Sequence, residues 1–145
     1  MITCGALKCV NYNYRLLCEA AFPLPVTFHR AFDVCTQPLL SSLRDIQQSG
    51  CSTLLTSGRA QTAGGGIQTL GEIQKMLKEE KINLTLMVGA GVNSRNIKEL
   101  MDDSNAKWLH GSFSLKHSFK NDIFDLGIKF TTAEDEVRKA VKSVQ

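Results

Sequence analysis

The sequence predicts an α/β fold in which parallel strands alternate with helices, and three observations predict it. Short runs rich in β-branched and aromatic residues alternate with longer stretches whose apolar residues recur at helical spacing. Five such pairs follow one another, with 24–31 residues from one strand start to the next, room for a strand, a helix and their connections. The composition, 43% hydrophobic and 21% charged, is that of a globular chain with apolar surface enough to offset conformational entropy.

The first strand is expected at Met1–Leu7 and a helix at Asn13–Ala21. Pro23 and Pro25 punctuate the start of the second strand, Pro25–Phe32, because proline disfavours helix in the residue before it. A helix over Gln37–Ser49 carries its buried stripe on Leu39, Leu40, Leu43 and Ile46, and Gly50 sits where helices commonly stop. Ser52–Thr56 is the third strand, and the following loop with Gly64, Gly65 and Gly66 reads as a flexible connection. The helix Ile67–Glu80 gathers Ile67, Leu70, Ile73, Met76 and Leu77 on one face. Strand four, Asn83–Val88, runs into Gly89-Ala90-Gly91, with Asn93 as the cap of a helix over Ser94–Met101. Lys107–His110 is the fifth strand, with Trp108 as a core residue. Residues Phe113 to Phe130, which include His117, show no clear period and read as a long loop with room for a turn of helix. Thr131 and Glu134 fit a capping box ahead of a last helix with Val137, Ala140, Val141 and Val144 on its face.

Two architectures accommodate this order with right-handed crossovers: an open doubly wound sheet and a (β/α)8 barrel. Five strands are too few to close the barrel, and no Gly-x-Gly-x-x-Gly follows the first strand, which argues against a dinucleotide site. The 145 residues make one domain or a piece of a larger one. With 17 basic and 14 acidic residues the net charge is +3, and the basic residues alternate with acidic ones, as in Lys75, Lys78, Glu79, Glu80 and Lys81. No nucleic-acid partner is expected from that pattern. No apolar run approaches the ~18 residues that would span a membrane, and the N-terminal residues lack the order of a secretory signal. Five cysteines (Cys4, Cys9, Cys18, Cys35, Cys51), odd in number and without a Cys-x-x-Cys, fit a reducing cytosolic compartment.

In either architecture ligands meet the carboxyl ends of the strands. His29, Ala31 and Asp33 would share one side of the second strand, with Arg30 on the other. An imidazole and a carboxylate there could move a proton or anchor a polar ligand; an internal hydrogen-bonded pair is the simpler reading. Ser57 ends the third strand beside Thr56, Gly58 and Arg59. Gly89 and Gly91 ahead of a helix would let backbone N–H groups approach an anion, with His110 and Ser112 in the next loop, unless the glycines serve only a tight turn. Thiolates are soft ligands suited to Cu(I), so Cys4 and Cys9 could form a two-thiolate site, although buried free cysteine is common.

Taken as motifs, these strand ends resemble a known family. Pro23–Asp33 (PLPVTFHRAFD) resembles the signature of the CutC copper homeostasis family, and Leu54-Leu55-Thr56-Ser57-Gly58 its next strand. Met87–Asn93 is similar to its glycine-rich strand-seven ending, Asn93 and Asn96 to positions in the helix that follows, and Trp108–Ser112 to its final strand. Lys129-Phe130-Thr131 fits the approach to its terminal helix. The likeness runs from about Ile2 over nearly the whole chain, and His29–Asp33 is its fairly specific stretch.

The resemblance implies a partial TIM-like (β/α) barrel: a single domain over residues 1–145 that holds strands four to eight and lacks the first three βα units. It implies a copper homeostasis protein that binds or handles Cu(I), cytoplasmic and in some members also nuclear. The alternative is a TIM-barrel enzyme acting on a small phosphorylated or anionic substrate, with His29 and Asp33 as acid/base candidates and Gly89–Gly91 holding the anion. The ligand mouth would involve His29, Arg30, Asp33, Ser57, Gly89, Gly91, His110 and Ser112. Cysteines suspected of binding Cu(I) in animal members belong to the lacking part. Ala90 stands where the family usually has glycine and adds a methyl where a ligand would approach. A five-strand arc would also have two unpaired edges and an apolar inner face, features that invite self-association into a homo-oligomer.

Overall fold

The computed structural model describes residues 12–117 and 129–145. Helix α1 (Tyr12–Ala21) leads into β1 (Thr27–Phe28), α2 (Leu39–Gln48), β2 (Thr53–Thr56), α3 (Ile67–Glu79), β3 (Thr85–Gly89), α4 (Ile97–Ser104) and β4 (Trp108–His110). The four strands form one parallel sheet in the order β1-β2-β3-β4. The expected first strand, Met1–Leu7, lies outside the described residues. A separate antiparallel pair, β5 (Ser114–His117) with β6 (Lys129–Thr132), precedes α5 (Glu134–Val144).

Strand register sorts the side chains into two faces. Phe28, Leu54 and Leu86 pair in one row, and Thr56, Val88 and Leu109 in another. Both rows face the helices, because successive residues of a strand point to opposite sides. Phe28, Leu54 and Val88 are fully buried with Leu43 and Ile46 of α2, Leu70 and Ile73 of α3 and Leu100 of α4. Each such burial contributes roughly 1.5–3 kcal/mol, so this layer supplies most of the cohesion. The opposite face carries the rows Thr27, Thr53, Thr85 and Leu55, Met87, Trp108. Trp108 is 59% exposed. The expected core role of Trp108 is therefore corrected: its register with Met87 places it on the face away from the helices.

Local chemistry moved several boundaries. The expected strand Pro25–Phe32 shrinks to Thr27–Phe28, because residues Arg30–Val34 wind into a 3-10 turn. His29 caps that turn, its Nδ1 accepting the Ala31 N–H at 3.0 Å. Helix α2 starts after Pro38, which disfavours helix at Gln37. Helix α4 begins at Ile97, later than the expected Ser94. There Asn93 and Asn96 form a turn in which Asn96 Oδ1 accepts the Asn93 N–H at 2.8 Å. The helix stops at Asn105, which is left-handed with φ 54°. The expected loop after Phe113 holds the β5–β6 pair at its ends. The expected capping box is not made, since no side chain caps α5 at Ala133. The Thr132 hydroxyl instead donates to the Ser112 carbonyl at 3.0 Å. Ala140 is buried, and Ser94 donates to Glu136 at 2.6 Å, which tie α5 to the body. Among the described residues no helix is long and apolar enough to cross a membrane.

The three consecutive glycines are not equivalent. A Cβ on Gly66 would stand 1.9 Å from the Ser57 carbonyl oxygen, whereas one on Gly64 would meet nothing within 4 Å. Only Gly66 lets the loop close against the end of β2. Gly66→Ala is expected to destabilise by about 1–3 kcal/mol through forced backbone shifts, and Gly64→Ala to stay within about 0.5 kcal/mol of the parent. Urea unfolding midpoints of the two variants check this contrast.

Candidate functional site

The 3-10 turn after β1 swings Asp33 towards the carboxyl end of β2, where its side chain is 6% exposed. Five groups converge on the carboxylate. Arg30 Nε donates to Oδ2 at 2.7 Å and the Ser57 hydroxyl to the same oxygen at 2.9 Å. The Thr56 hydroxyl donates to Oδ1. The backbone N–H of Ser57 lies 3.2 Å from both oxygens, and that of Arg59 donates to Oδ1 at 3.1 Å. Burial pushes the Asp33 carboxyl up, but the hydrogen bonds from Thr56, Arg30, Ser57 and the Arg59 backbone outweigh it and leave the pKa below its ordinary 3.8.

Two arginines extend this cluster differently. Arg30 is 44% exposed and reaches Ser57 Oγ at 3.1 Å and the Ala60 carbonyl at 3.3 Å. Arg59 lies with Cζ 5.0 Å over the Phe32 ring and donates to Ser42 Oγ at 3.2 Å. Its Nε is buried without a hydrogen-bond partner. Burial lowers the Arg59 pKa, and the neighbouring Asp33 charge works against that shift. With φ 61°, Arg59 holds a backbone conformation uncommon for a side-chain-bearing residue.

The second strand-end group is built on close approach. Gly89 pairs with His110 across β3 and β4, and a Cβ there would stand 2.7 Å from Leu55 Cδ1. Ala90 and Gly91 both have positive φ, 82° and 77°. The turn is fastened from outside: Ala63 N–H donates to the Ala90 carbonyl at 2.9 Å. Asn93 and Asn96 Nδ2 donate to the Gly91 carbonyl at 3.0 and 2.9 Å. Because α4 starts only at Ile97, these asparagines, and not the first helical turn, follow the glycines.

The structure thus joins Arg30, Asp33 and Ser57 directly, and Gly89 with His110. It corrects the expected same-side pairing of His29 and Asp33: the 3-10 turn breaks the period of two, His29 caps its own turn, and Arg30, expected on the far side, bridges to Asp33. Ser112 is exposed, its hydroxyl 2.9 Å from that of Ser114. Among the described residues no hydrogen bond links His29 or Ser112 to the Asp33 cluster. Thr56 and Arg59 belong to that cluster although sequence reasoning passed over their roles; their signal was only their place beside Ser57. Cys4 and Cys9 lie outside the described residues, and among the described residues no group of three or more His, Cys, Asp or Glu could hold a metal ion.

Loss of the Asp33 charge strands several donors at once. Asp33→Ala is expected to cost about 2–4 kcal/mol, and Arg30→Ala, an exposed partner, under about 1 kcal/mol. Because the folded-state pKa of Asp33 is depressed, its stabilisation is complete above the ordinary carboxylate range and is lost as pH falls through the folded value. Stability measured by denaturant titration should therefore fall below about pH 4 in the parent, and less steeply in Asp33→Asn.

The sequence matches the CutC family over residues 5–115. The CutC family protein of Glaesserella parasuis is 33% identical over 122 residues, which are 84% of this chain and 49% of that protein. That of Parabacteroides distasonis is 35% identical over 126 residues, 84% of this chain and 50% of the relative. That of Proteus mirabilis is 40% identical over 97 residues, 67% of this chain and 36% of the relative. The chain thus spans half the length, or less, of these curated relatives. The fold is similar to the crystal structure of CutC from Streptococcus agalactiae, with a TM-score of 0.55 at 23% identity, covering 70% of this chain and 52% of that one. The four parallel strands and their helices are part of a TIM-like barrel, and the chain belongs to the CutC family.

Proposed function

We propose that this chain acts in copper homeostasis as a cytosolic protein that binds or passes on Cu(I), the ion being its cargo. The observation that carries the reading is the family match over residues 5–115, joined by the naming of the Streptococcus agalactiae relative for copper homeostasis. The thiol chemistry of the chain supports it, since soft thiolates suit Cu(I). Cys4 and Cys9 are the proposed donors, and the strand-end residues Arg30, Ser57, Gly89, Gly91, His110 and Ser112 the proposed ligand mouth. A Cu(I) titration against a competing chelator, with thiols reduced, tests the reading. Stoichiometric competition by the parent, lost in Cys4→Ser and in Cys9→Ser, is the expected result. A parent chain that never competes overturns it.

A second reading, a barrel enzyme acting on a small phosphorylated or anionic substrate, is favoured by Arg30, a half-exposed guanidinium held in place at a strand end. In that reading Asp33 positions Arg30, because a carboxylate ionised well below neutral pH is a poor proton donor there. Inorganic phosphate should then raise the thermal midpoint of the parent and leave that of Arg30→Ala unchanged. Equal effects on both would remove the support for an anion site.

A further inference from the structure

Two thiols outside the strand-end cluster meet at the seam between α1 and the start of β2. Cys18 on α1 and Cys51 just before β2 are both free, with their Sγ atoms 3.7 Å apart. Cys51 is 4% exposed. Cys18 is half-buried and lines an open groove of roughly 530 Å³ with Arg15, Glu19, Phe22 and Gln48. The main chain approaches closely here: a Cβ on Gly50 would stand 3.1 Å from Cys18 Cβ. The two sulfurs are in contact at 3.7 Å, against the roughly 2.05 Å of a disulfide.

We propose that Cys18 and Cys51 are a reversible modification site, closed into an intramolecular disulfide by a small-molecule disulfide, R–S–S–R. The groove admits the oxidant to Cys18. The Cys18 thiolate attacks one sulfur of R–S–S–R, the S–S bond breaks, and RS⁻ departs and takes up a proton. Cys51, deprotonated to solvent, then attacks the Cys18 sulfur of the mixed disulfide and expels the second RS⁻, which is protonated in turn. The two cysteines lose two electrons and R–S–S–R becomes two RSH.

The surroundings set the pace of this exchange. The charged groups beside Cys18 are Arg15 and Glu19, paired with each other at 2.9 Å. The facing segment presents Gln48, Ser49, Gly50 and the Cys51 thiol. Burial pushes the Cys18 thiol up to about 11, helped by the hydrogen bond and charge of Cys51. Cys18 thus rests as a thiol at neutral pH, and the first attack quickens as pH rises. The bond would tie α1 to the sheet across 33 residues of chain that include the whole Asp33 turn.

The test uses the full chain, reduced, then exposed to oxidised glutathione at pH 8.5, alkylated and cleaved with trypsin without reduction. The expected product is peptide 16–30 joined to peptide 45–59 with the loss of two hydrogens. A thermal midpoint raised by several degrees should accompany it and fall back with dithiothreitol. In Cys51→Ser, peptide 16–30 should instead retain one glutathione. The proposal is overturned if parent peptide 16–30 carries glutathione beside an alkylated Cys51, if both cysteines are alkylated, or if Cys18 is joined to peptide 31–44. The parent map decides the matter even where Cys51→Ser fails to fold.

Discussion

The buried Asp33 carboxylate is the constraint on which the strand-end half of the molecule depends. A negative charge at 6% exposure is tolerated only when donors surround it. Those donors come from the turn after β1 and from the end of β2, so the charge welds two neighbouring strand ends. Its demands propagate outward. To bring the N–H groups of Ser57 and Arg59 to one carboxylate, the chain turns through Gly58 with φ 75° and Arg59 with φ 61°. The tight turn brings Gly66 against the Ser57 carbonyl, where no larger residue fits. Electrostatics thus dictates backbone, and backbone dictates composition.

The parts of this fold legible in sequence were those fixed by repeated burial. Helix α3 was readable because Leu70, Ile73 and Leu77 recur at helical spacing and are all buried. β2 and β3 were readable as short apolar runs punctuated by glycine. What sequence could not show was competition between local and distant partners. Pro25–Phe32 looks like a strand, yet His29 caps a 3-10 turn and Asp33 is drawn to β2, a partner 23–26 residues away along the chain. Asn93 has the look of a helix cap, yet Asn93 and Asn96 close the turn on Gly91, and the helix waits until Ile97. Ser57 stood out by position. Thr56 and Arg59 did not, because a threonine in a strand and an arginine in a loop are commonplace until a buried charge recruits them.

The two strand-end groups are built on different principles. Around Asp33 the side chains are committed to one another, and only Arg30 remains substantially open to solvent. At Gly89–Gly91 the backbone is committed, with carbonyls of Ala90 and Gly91 accepting from Ala63, Asn93 and Asn96. An alanine with φ 82° inside this turn is a local strain that the surrounding hydrogen bonds hold in place. The thiol pair at the α1 seam is remote in kind from both, since it relies on soft, weakly hydrogen-bonding atoms in contact.

The register of β4 has an optical corollary. The chain has one tryptophan, and its pairing with Met87 sets it on the sheet face that the helices do not cover. Its indole is already largely hydrated in the folded state. Tryptophan fluorescence from this protein is thus a gauge of whatever lies over that face, and nearly blind to the melting of the leucine and isoleucine layer behind it.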